Sequence, residues 1–533
     1  MKKIWERFGA ILRAYPFRSI CVVVLLLYGS AMNPYVAPNS GDDTTYYQGA
    51  LSLARGEGYR EQGLFIKDWP PVQSLLTAVT MVILNAKGIW VGKVVNLFAV
   101  AAAACLMLRF MRREQRKKGE LAVLILLISP TSYLVGSMTQ ADFTYLALSL
   151  LFFAQLHRLR EGRSLREAIF VGLLFGVAGL TRYQGILLGL PLLFHLIGDL
   201  WIQRKSANLL QRVFLAPETI AGVLGGAMVF GWLAYVGSRD EGLVSNYEFQ
   251  SSSIWWQPDP VELFAEFLNL LFQVENIILE FFPGGTWLIP ASASVLLGLV
   301  VLGAFLRYQR FGVRSSDVYA MALGLLFCCY VYKEARYGIA LAPFLFDYLF
   351  TAISFVAGKL RAGWDQPRWR KAAVGTWICY LLAMDSVLWL RGIEGEFGAR
   401  LWVLVPTERS FVRGHYLDVF DASQYLKALP DANVIVAADK FHARIVRHYC
   451  GKETHFPGYL PGAAYTNFLQ VDEDCFGPRI PEIIRKELAF PATLRERLQS
   501  PQRFGKVMIW EVADSPMDSK SHRRTAGGSD AER

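Results

Sequence analysis

Charge is what this chain has least of. Asp, Glu, Lys and Arg make up 19% of its 533 residues against 53% hydrophobic residues, and the mean hydropathy is positive. A chain this long would ordinarily divide into several soluble domains, but so few charges cannot coat them. Cysteine is also scarce, with seven in all, and no CxxC pair or Cys/His cluster is present, which removes the zinc-site classes. Cys21, Cys105, Cys328, Cys329 and Cys379 fall in apolar runs, where a thiol packs as a small hydrophobe. Cys450 and Cys475 stand in the C-terminal tail, where an oxidising compartment would permit a disulfide. The net charge of +10 is scattered over short segments, so the chain lacks the concentrated basic face of a nucleic-acid binder. There is no internal repeat. The first apolar run lacks a small-residue cleavage site and reads as an uncleaved anchor.

What the chain does have is apolar runs near the length that crosses a bilayer, about 20 residues for roughly 30 Å of hydrocarbon. About eleven crossings are predicted on that criterion, near 18–34, 89–108, 119–136, 142–156, 168–181, 184–200, 218–237, 286–306, 317–332, 338–357 and 372–390. Lys and Arg crowd the alternate segments 1–18, 109–118, 157–167, 201–212, 307–314 and 358–371. They are sparse in 34–72, 137–141, 182–183, 238–285 and 333–337. The positive-inside rule then puts the N-terminus in the cytoplasm and residues 391–533 outside.

The expected architecture is a polytopic α-helical membrane protein with a small exterior α/β domain. Residues 1–390 form the membrane part, with exterior loops 34–88 and 238–285. Residues 391–414 link it to an exterior domain over 415–513, and 514–533 form a polar tail predicted to be disordered. In the exterior domain DASQYLKALP and KFHARIVRHYC read as helices, and NVIVAAD and KVMIWEV as strands. VQSLLTAVTMVIL, after Pro70-Pro71, is short for a crossing and is predicted to lie along the outer interface. Trp255 and Trp256 suit the headgroup zone.

Several charges stand where charge is costly. Asp42 and Asp43 follow the first crossing in GDDTTYY, and neighbouring carboxylates raise each other's pKa, which suits one of them to act as a base. The plainer reading is a solvated loop. Lys67 and Asp68 precede the double proline, Asp142 sits at a turn between crossings, and Arg182 lies between two short apolar arms. Lys333, Glu334 and Arg336 open another helix. Each has a structural alternative. Asp142 could cap a helix, Arg182 could snorkel, and Arg336 could pair with Glu334. Asp347 and Asp385, inside predicted crossings, read as structural pairs within the bundle, and His195 as a packed core histidine.

Taken in order, these motifs resemble the C-class membrane glycosyltransferases (the GT-C superfold), in particular the bacterial relatives of protein O-mannosyltransferases and the lipid A aminoarabinose transferase. Asp42, Asp43 and Tyr46 match the acidic pair and following tyrosine of that family's first exterior loop, with Asp43 where the family often has Glu. KDWPPVQSLLTAV is similar to its Pro-Pro step. TQADFTYL resembles its exterior Ser-acid turn, with Gln140-Ala141-Asp142 in that place. GLLFGVAGLTRYQG resembles its glycine-rich helix pair with an arginine at the turn, and EARYGIALAPF its Arg-Tyr…Pro signature.

The resemblance implies an inverting glycosyltransferase that takes a sugar from a polyprenyl-phosphate donor, with a lipid, glycan or protein acceptor and no nucleic acid partner. The site faces the outside of the cytoplasmic membrane. By matched position Asp42 is the base and Asp43 its assistant. Arg182 and Arg336 clamp the phosphate, Lys67 and Lys333 are further cations, and Tyr46 and Asp142 bind substrate. No cofactor is demanded, although Asp42, Asp43 and Asp142 could offer hard oxygen ligands to a divalent cation. A multipass transporter or flippase of a lipid-linked or anionic substrate is the alternative, but it should carry its polar groups near the midplane, and here they crowd the outer lip. A scaffold for the exterior domain would leave the acidic first loop without a purpose.

Overall fold

The computed structural model describes residues 16–30, 41–61, 64–67, 69–203, 214–239, 259–272, 287–329 and 335–360 of the membrane part. In the C-terminal part it describes 417–429, 434–437, 446, 453–455, 467–471, 498–504 and 507–512. Lys333, Glu334, Asp68, Trp255, Trp256, Asp385, Cys450, Cys475, the apolar run 372–390 and the tail 514–533 lie outside the described residues. The chain forms two compact units, one of residues 1–34 and 46–390, the other of 35–45 and 391–533.

The first unit is helical. Its elements are α1 (Pro16–Ser30), α2 (Gly41–Ala54, which begins in the other unit), the short strands β1 (Arg60–Glu61) and β2 (Leu64–Phe65), α3 (Val72–Leu84), α4 (Trp90–Ile128), α5 (Pro130–Gly136), α6 (Asp142–Gly162), α7 (Leu165–Gly179), α8 (Gly189–Gln203), α9 (Pro217–Gly237), α10 (Pro260–Phe272), α11 (Leu288–Phe311), α12 (Ser315–Cys329) and α13 (Gly338–Leu360). Single 3₁₀ turns, Tyr183–Leu188 and Ala335–Tyr337, precede α8 and α13. Among the described residues five segments are long and apolar enough to cross a membrane: Trp90–Met111, Tyr183–Ile202, Pro217–Gly237, Leu288–Phe311 and Ala335–Gly358. Their outer faces expose residues such as Val223, Phe230, Val301 and Phe305, as helices solvated by lipid do. This is a multipass membrane protein. The helix over 72–84 has 13 residues, the short element its sequence predicts.

One expectation needs correction. Residues 109–118, expected as a segment separating two crossings, are themselves helical, so that the chain is helical from Trp90 to Ile128. The run nevertheless doubles back. A straight helix would put residues 96 and 128 about 48 Å apart, whereas Asn96 Nδ2 donates to the carbonyls of Val135 and Met138 at 2.8 and 2.7 Å. Two antiparallel arms are therefore present, joined by a helical turn.

The α7 and α9 helices approach closely because their contact is built from small residues. A Cβ on Gly172 would fall 2.9 Å from the Ala221 carbonyl, and one on Gly225 would fall 2.8 Å from the Gly172 carbonyl. Without a hydrophobic force between helices in lipid, such close packing supplies the association.

The second unit contains α14 (Leu417–Ala428) and strands β3 (Val434–Ala437), β4 (Glu453–His455), β5 (Asn467–Val471), β6 (Leu498–Phe504) and β7 (Val507–Val512). They form a mixed five-stranded sheet in the order β4-β3-β5-β7-β6. The β3 strand pairs in parallel with β4 and β5, and β7 pairs antiparallel with β5 and β6.

Candidate functional site

A cluster of polar side chains gathers at one end of the helical unit, where three connecting segments are stitched together. The first is the Pro-Pro step. Val72 N donates to the Leu180 carbonyl at 3.0 Å, and the Tyr183 hydroxyl donates to the Lys67 carbonyl at 2.9 Å. The Tyr59 hydroxyl reaches the Trp69 carbonyl at 3.1 Å. Ser74 Oγ donates to the Tyr46 carbonyl at 2.9 Å, which ties α3 to α2. The approach of α2 requires Gly49, since a Cβ there would fall 2.6 Å from the Tyr59 ring.

The second segment is the turn 136–141 between α5 and α6. Asn96 binds its carbonyls, and Gly92 lets Thr139 lie against α4, with a Cβ at Gly92 only 2.4 Å from Thr139 Cγ2. The third is the turn between α7 and the 3₁₀ helix. A Cβ on Gly185 would strike the Gly179 nitrogen at 2.5 Å, so only glycine lets the chain fold back here and present Arg182.

These turns bring the charges together. Arg182 Nη2 donates to Asp142 Oδ2 at 2.8 Å, with the two side chains 12% and 4% exposed. Arg336 Nη1 donates to Gln140 Oε1 at 3.1 Å. Both guanidiniums lie against the ring of Tyr337, 5.7 Å and 5.6 Å from its centroid, and that ring stacks on Phe327. Burial is the largest influence on Arg182 and works against its charge, as Arg336 does, but Asp142 and the neighbouring tyrosines together hold the guanidinium above its ordinary value. Tyr46 also acts on the Arg182 charge. Arg182 Nε has no hydrogen-bond partner among the described residues. Two forked cations share one tyrosine ring, one bonded to a carboxylate and the other to an amide oxygen. That arrangement suits an oxyanion.

The alternatives raised by the sequence resolve as follows. Asp142 is not a cap: Ala141 holds that position with no side-chain bond, and Asp142 is the first helical residue, committed to Arg182. Arg182 does not snorkel, because its head is held by a buried acid. Arg336 meets Gln140, while Glu334, its other expected partner, lies outside the described residues. Asp347 pairs within the bundle, with Arg307 Nε at 3.0 Å. Asp42 and Asp43 stand in the first turn of α2, half-buried and buried respectively. On that helix they are the i−4 and i−3 neighbours of Tyr46, the spacing that shares a face. Asp142 is already bonded to a cation, and among the described residues no three His, Cys, Asp or Glu side chains converge as a metal-binding group.

Three contributors escape sequence reasoning. Asn96 and Gly92 shape the 136–141 turn, and Lys93, next to Gly92, is 1% exposed. The only signal for them is a lysine and an asparagine, one helical turn apart, at the start of an otherwise apolar run.

Residues 68–221 match the family model described as dolichyl-phosphate-mannose-protein mannosyltransferase. No curated protein matches the chain. Among solved structures, ArnT from Cupriavidus metallidurans in the apo state aligns with a TM-score of 0.53 at 15% identity, covering 94% of this chain and 98% of that one. The same protein bound to undecaprenyl phosphate aligns with a TM-score of 0.52 at 14% identity and the same coverage. AglB from Archaeoglobus fulgidus, in complex with an inhibitory peptide and a dolichol-phosphate, aligns at a TM-score of 0.48 and 14% identity, covering 86% and 70% of the two chains. The chain has the GT-C fold of ArnT, and the family match lies within its membrane part.

Proposed function

We propose that the protein is an inverting glycosyltransferase that moves a sugar from a polyprenyl-phosphate donor to a hydroxyl acceptor, at the outer face of the cytoplasmic membrane. The observation that carries this reading is the pair of arginines on the Tyr337 ring, Arg182 held by Asp142 and Arg336 by Gln140. It sets two guanidinium forks on one aromatic ring, at one end of a fold whose similar structure, ArnT, is bound to undecaprenyl phosphate.

Arg182 and Arg336 bind the donor phosphate and neutralise it as the glycosidic bond breaks. Asp142 positions Arg182, and Gln140 positions Arg336. Lys67 and Lys333 add positive charge, and Tyr46 joins the donor side of the site. Asp42 accepts the proton of the acceptor hydroxyl, and Asp43 orients the acceptor. The acceptor oxygen forms its bond to the anomeric carbon as the carbon–oxygen bond to phosphate breaks on the opposite side. The electron pair leaves with the phosphate, the anomeric configuration inverts, and polyprenyl phosphate is released. The leaving group is already a stabilised anion, so no acid need protonate it. The sugar is a hexose or pentose unit, and the acceptor is a lipid, glycan or protein of the cell envelope. No step requires a cofactor.

The test is to incubate full-length protein with a panel of radiolabelled polyprenyl-phosphate sugars and membrane extract. Labelled product and free polyprenyl phosphate should appear, and Asp42→Asn should lower the rate by about 10²–10⁴-fold, the usual worth of a general base. Passage of intact donor across a vesicle membrane without phosphate release would contradict transfer and favour the transporter.

A further inference from the structure

The polar groups of the helical unit are unequally matched. About 27 Å along α6 from Asp142, Arg160 meets Asp199 and Glu218, both at 2.7 Å, and Arg307 meets Asp317 and Asp347. Gln73, near the Tyr337 end, is a different case. It is the second residue of α3 and is fully buried. Thr144 Oγ1 donates to its Oε1 at 2.8 Å, which holds the amide in one orientation. Its Nε2 is buried with no hydrogen-bond partner among the described residues. Protein interiors rarely leave such a donor unmatched, so an acceptor from outside the chain is its natural complement.

Three bonds place Gln73 beside the Arg182–Asp142 pair. Thr144 follows Asp142 by two residues in the first turn of α6. Val72 N, the amide just before Gln73, donates to the carbonyl of Leu180 at 3.0 Å, two residues before Arg182. Ser74 Oγ, just after Gln73, donates to the Tyr46 carbonyl at 2.9 Å, and Tyr46 acts on the Arg182 charge. Together with the Arg182–Asp142 bond, the ties to Leu180 and Thr144 close a ring through three segments distant in the chain. Gln73 Nε2 and Arg182 Nε both belong to that ring, and neither has a partner among the described residues. The first turn of α3 adds the positive end of a helix dipole.

We propose that Gln73 is a further substrate-contacting residue of this site, its Nε2 donating to an oxygen of the polyprenyl-phosphate sugar headgroup, with Thr144 as the residue that orients it. The assignment rests on the sugar-transfer reading of the arginine pair. Its role differs from that of the arginines. They offset the charge of the phosphate, whereas the neutral amide fixes where one headgroup oxygen sits. A phosphate oxygen and a sugar hydroxyl are both acceptors for it. A buried donor of this kind also rejects a ligand that lacks the matching acceptor, because such a ligand leaves the amide unpaired.

The experiment measures, by native mass spectrometry of full-length protein, the retention of two lipids. One is undecaprenyl phosphate, and the other is the hexosyl or pentosyl undecaprenyl phosphate that the parent holds most tightly. Gln73→Met should lower affinity for the glycosylated lipid by roughly tenfold, the worth of one hydrogen bond. The unfolding temperature of lipid-free protein should stay near that of the parent. An equal loss for undecaprenyl phosphate identifies a phosphate oxygen as the acceptor, and a loss confined to the glycosylated lipid identifies a sugar hydroxyl. Gln73→Glu keeps the shape and the bond from Thr144 but removes the donor. It should bind at least as poorly, and it decides the matter should Gln73→Met fail to fold. Thr77→Val, which removes a bond to the Gln73 carbonyl within α3, should leave both affinities unchanged. Undiminished binding of both lipids in Q73M and Q73E, or an equal loss in T77V, would overturn the proposal. Parent protein that retains the lipids but releases no polyprenyl phosphate would contradict sugar transfer and leave the Gln73 contact standing, whereas retention of neither lipid would overturn both.

Discussion

The two ends of the helical unit use the same residue in opposite ways. At one end Arg160 and Arg307 are each met by two carboxylates. At the other, Arg182 meets Asp142, Arg336 meets Gln140, and both guanidiniums lie against the Tyr337 ring. Saturated arginines have no charge left for a ligand, so they hold helices together. Arg182, whose Nε has no hydrogen-bond partner among the described residues, keeps a donor for an anion. An arginine's function in this protein is therefore read from the acids around it, and its burial or depth alone would mislead.

The comparison can be broken at either end. The largest effect on stability should come from Arg160→Ala, which strands the buried Glu218 carboxylate. Losing one partner of a buried pair costs about 3–5 kcal/mol. Thermal unfolding should fall markedly, while the transfer rate per folded molecule stays near that of the parent. Arg336→Ala should do the reverse. Its rate should drop by about 10²–10³-fold, as when one charge-stabilising group is removed from a transition state, with little change in unfolding temperature. Arg182→Lys sharpens the point because it keeps the charge and loses the fork. About a tenfold loss is expected, measured as kcat/KM for the lipid donor. The smallest effect belongs to Arg163→Ala. Arg163 also touches Asp199 at 2.8 Å, but with its side chain 49% exposed, and surface pairs contribute about 0–1 kcal/mol.

Much of the helical layout is legible in the sequence because apolar length and basic clusters report directly on the bilayer. The short helix over 72–84 follows from its double proline and its length, and Asp142, Arg182 and Arg336 stand out because charge is rare at their depth. Their partnerships are not legible. Asp142 and Arg182 are 40 residues apart and meet only because Gly185 lets one turn fold back and Asn96 holds another. Arg160 reads as one of many basic residues of an inner segment, since its acids, Asp199 and Glu218, lie on two other helices. The helical turn within 109–118 escapes as well. Polar composition signals an exit from the membrane, and says nothing about whether the backbone stays helical once outside it.

The most direct test of the arginine-pair site is donor turnover in matched variants at opposite ends, Arg336→Gln and Arg163→Gln, each confirmed folded by thermal unfolding. Release of polyprenyl phosphate from a labelled donor should be nearly abolished in the first and unchanged in the second. Equal release from both would mean that the pair on Tyr337 does not hold the phosphate, and that sugar transfer, if it occurs, happens elsewhere.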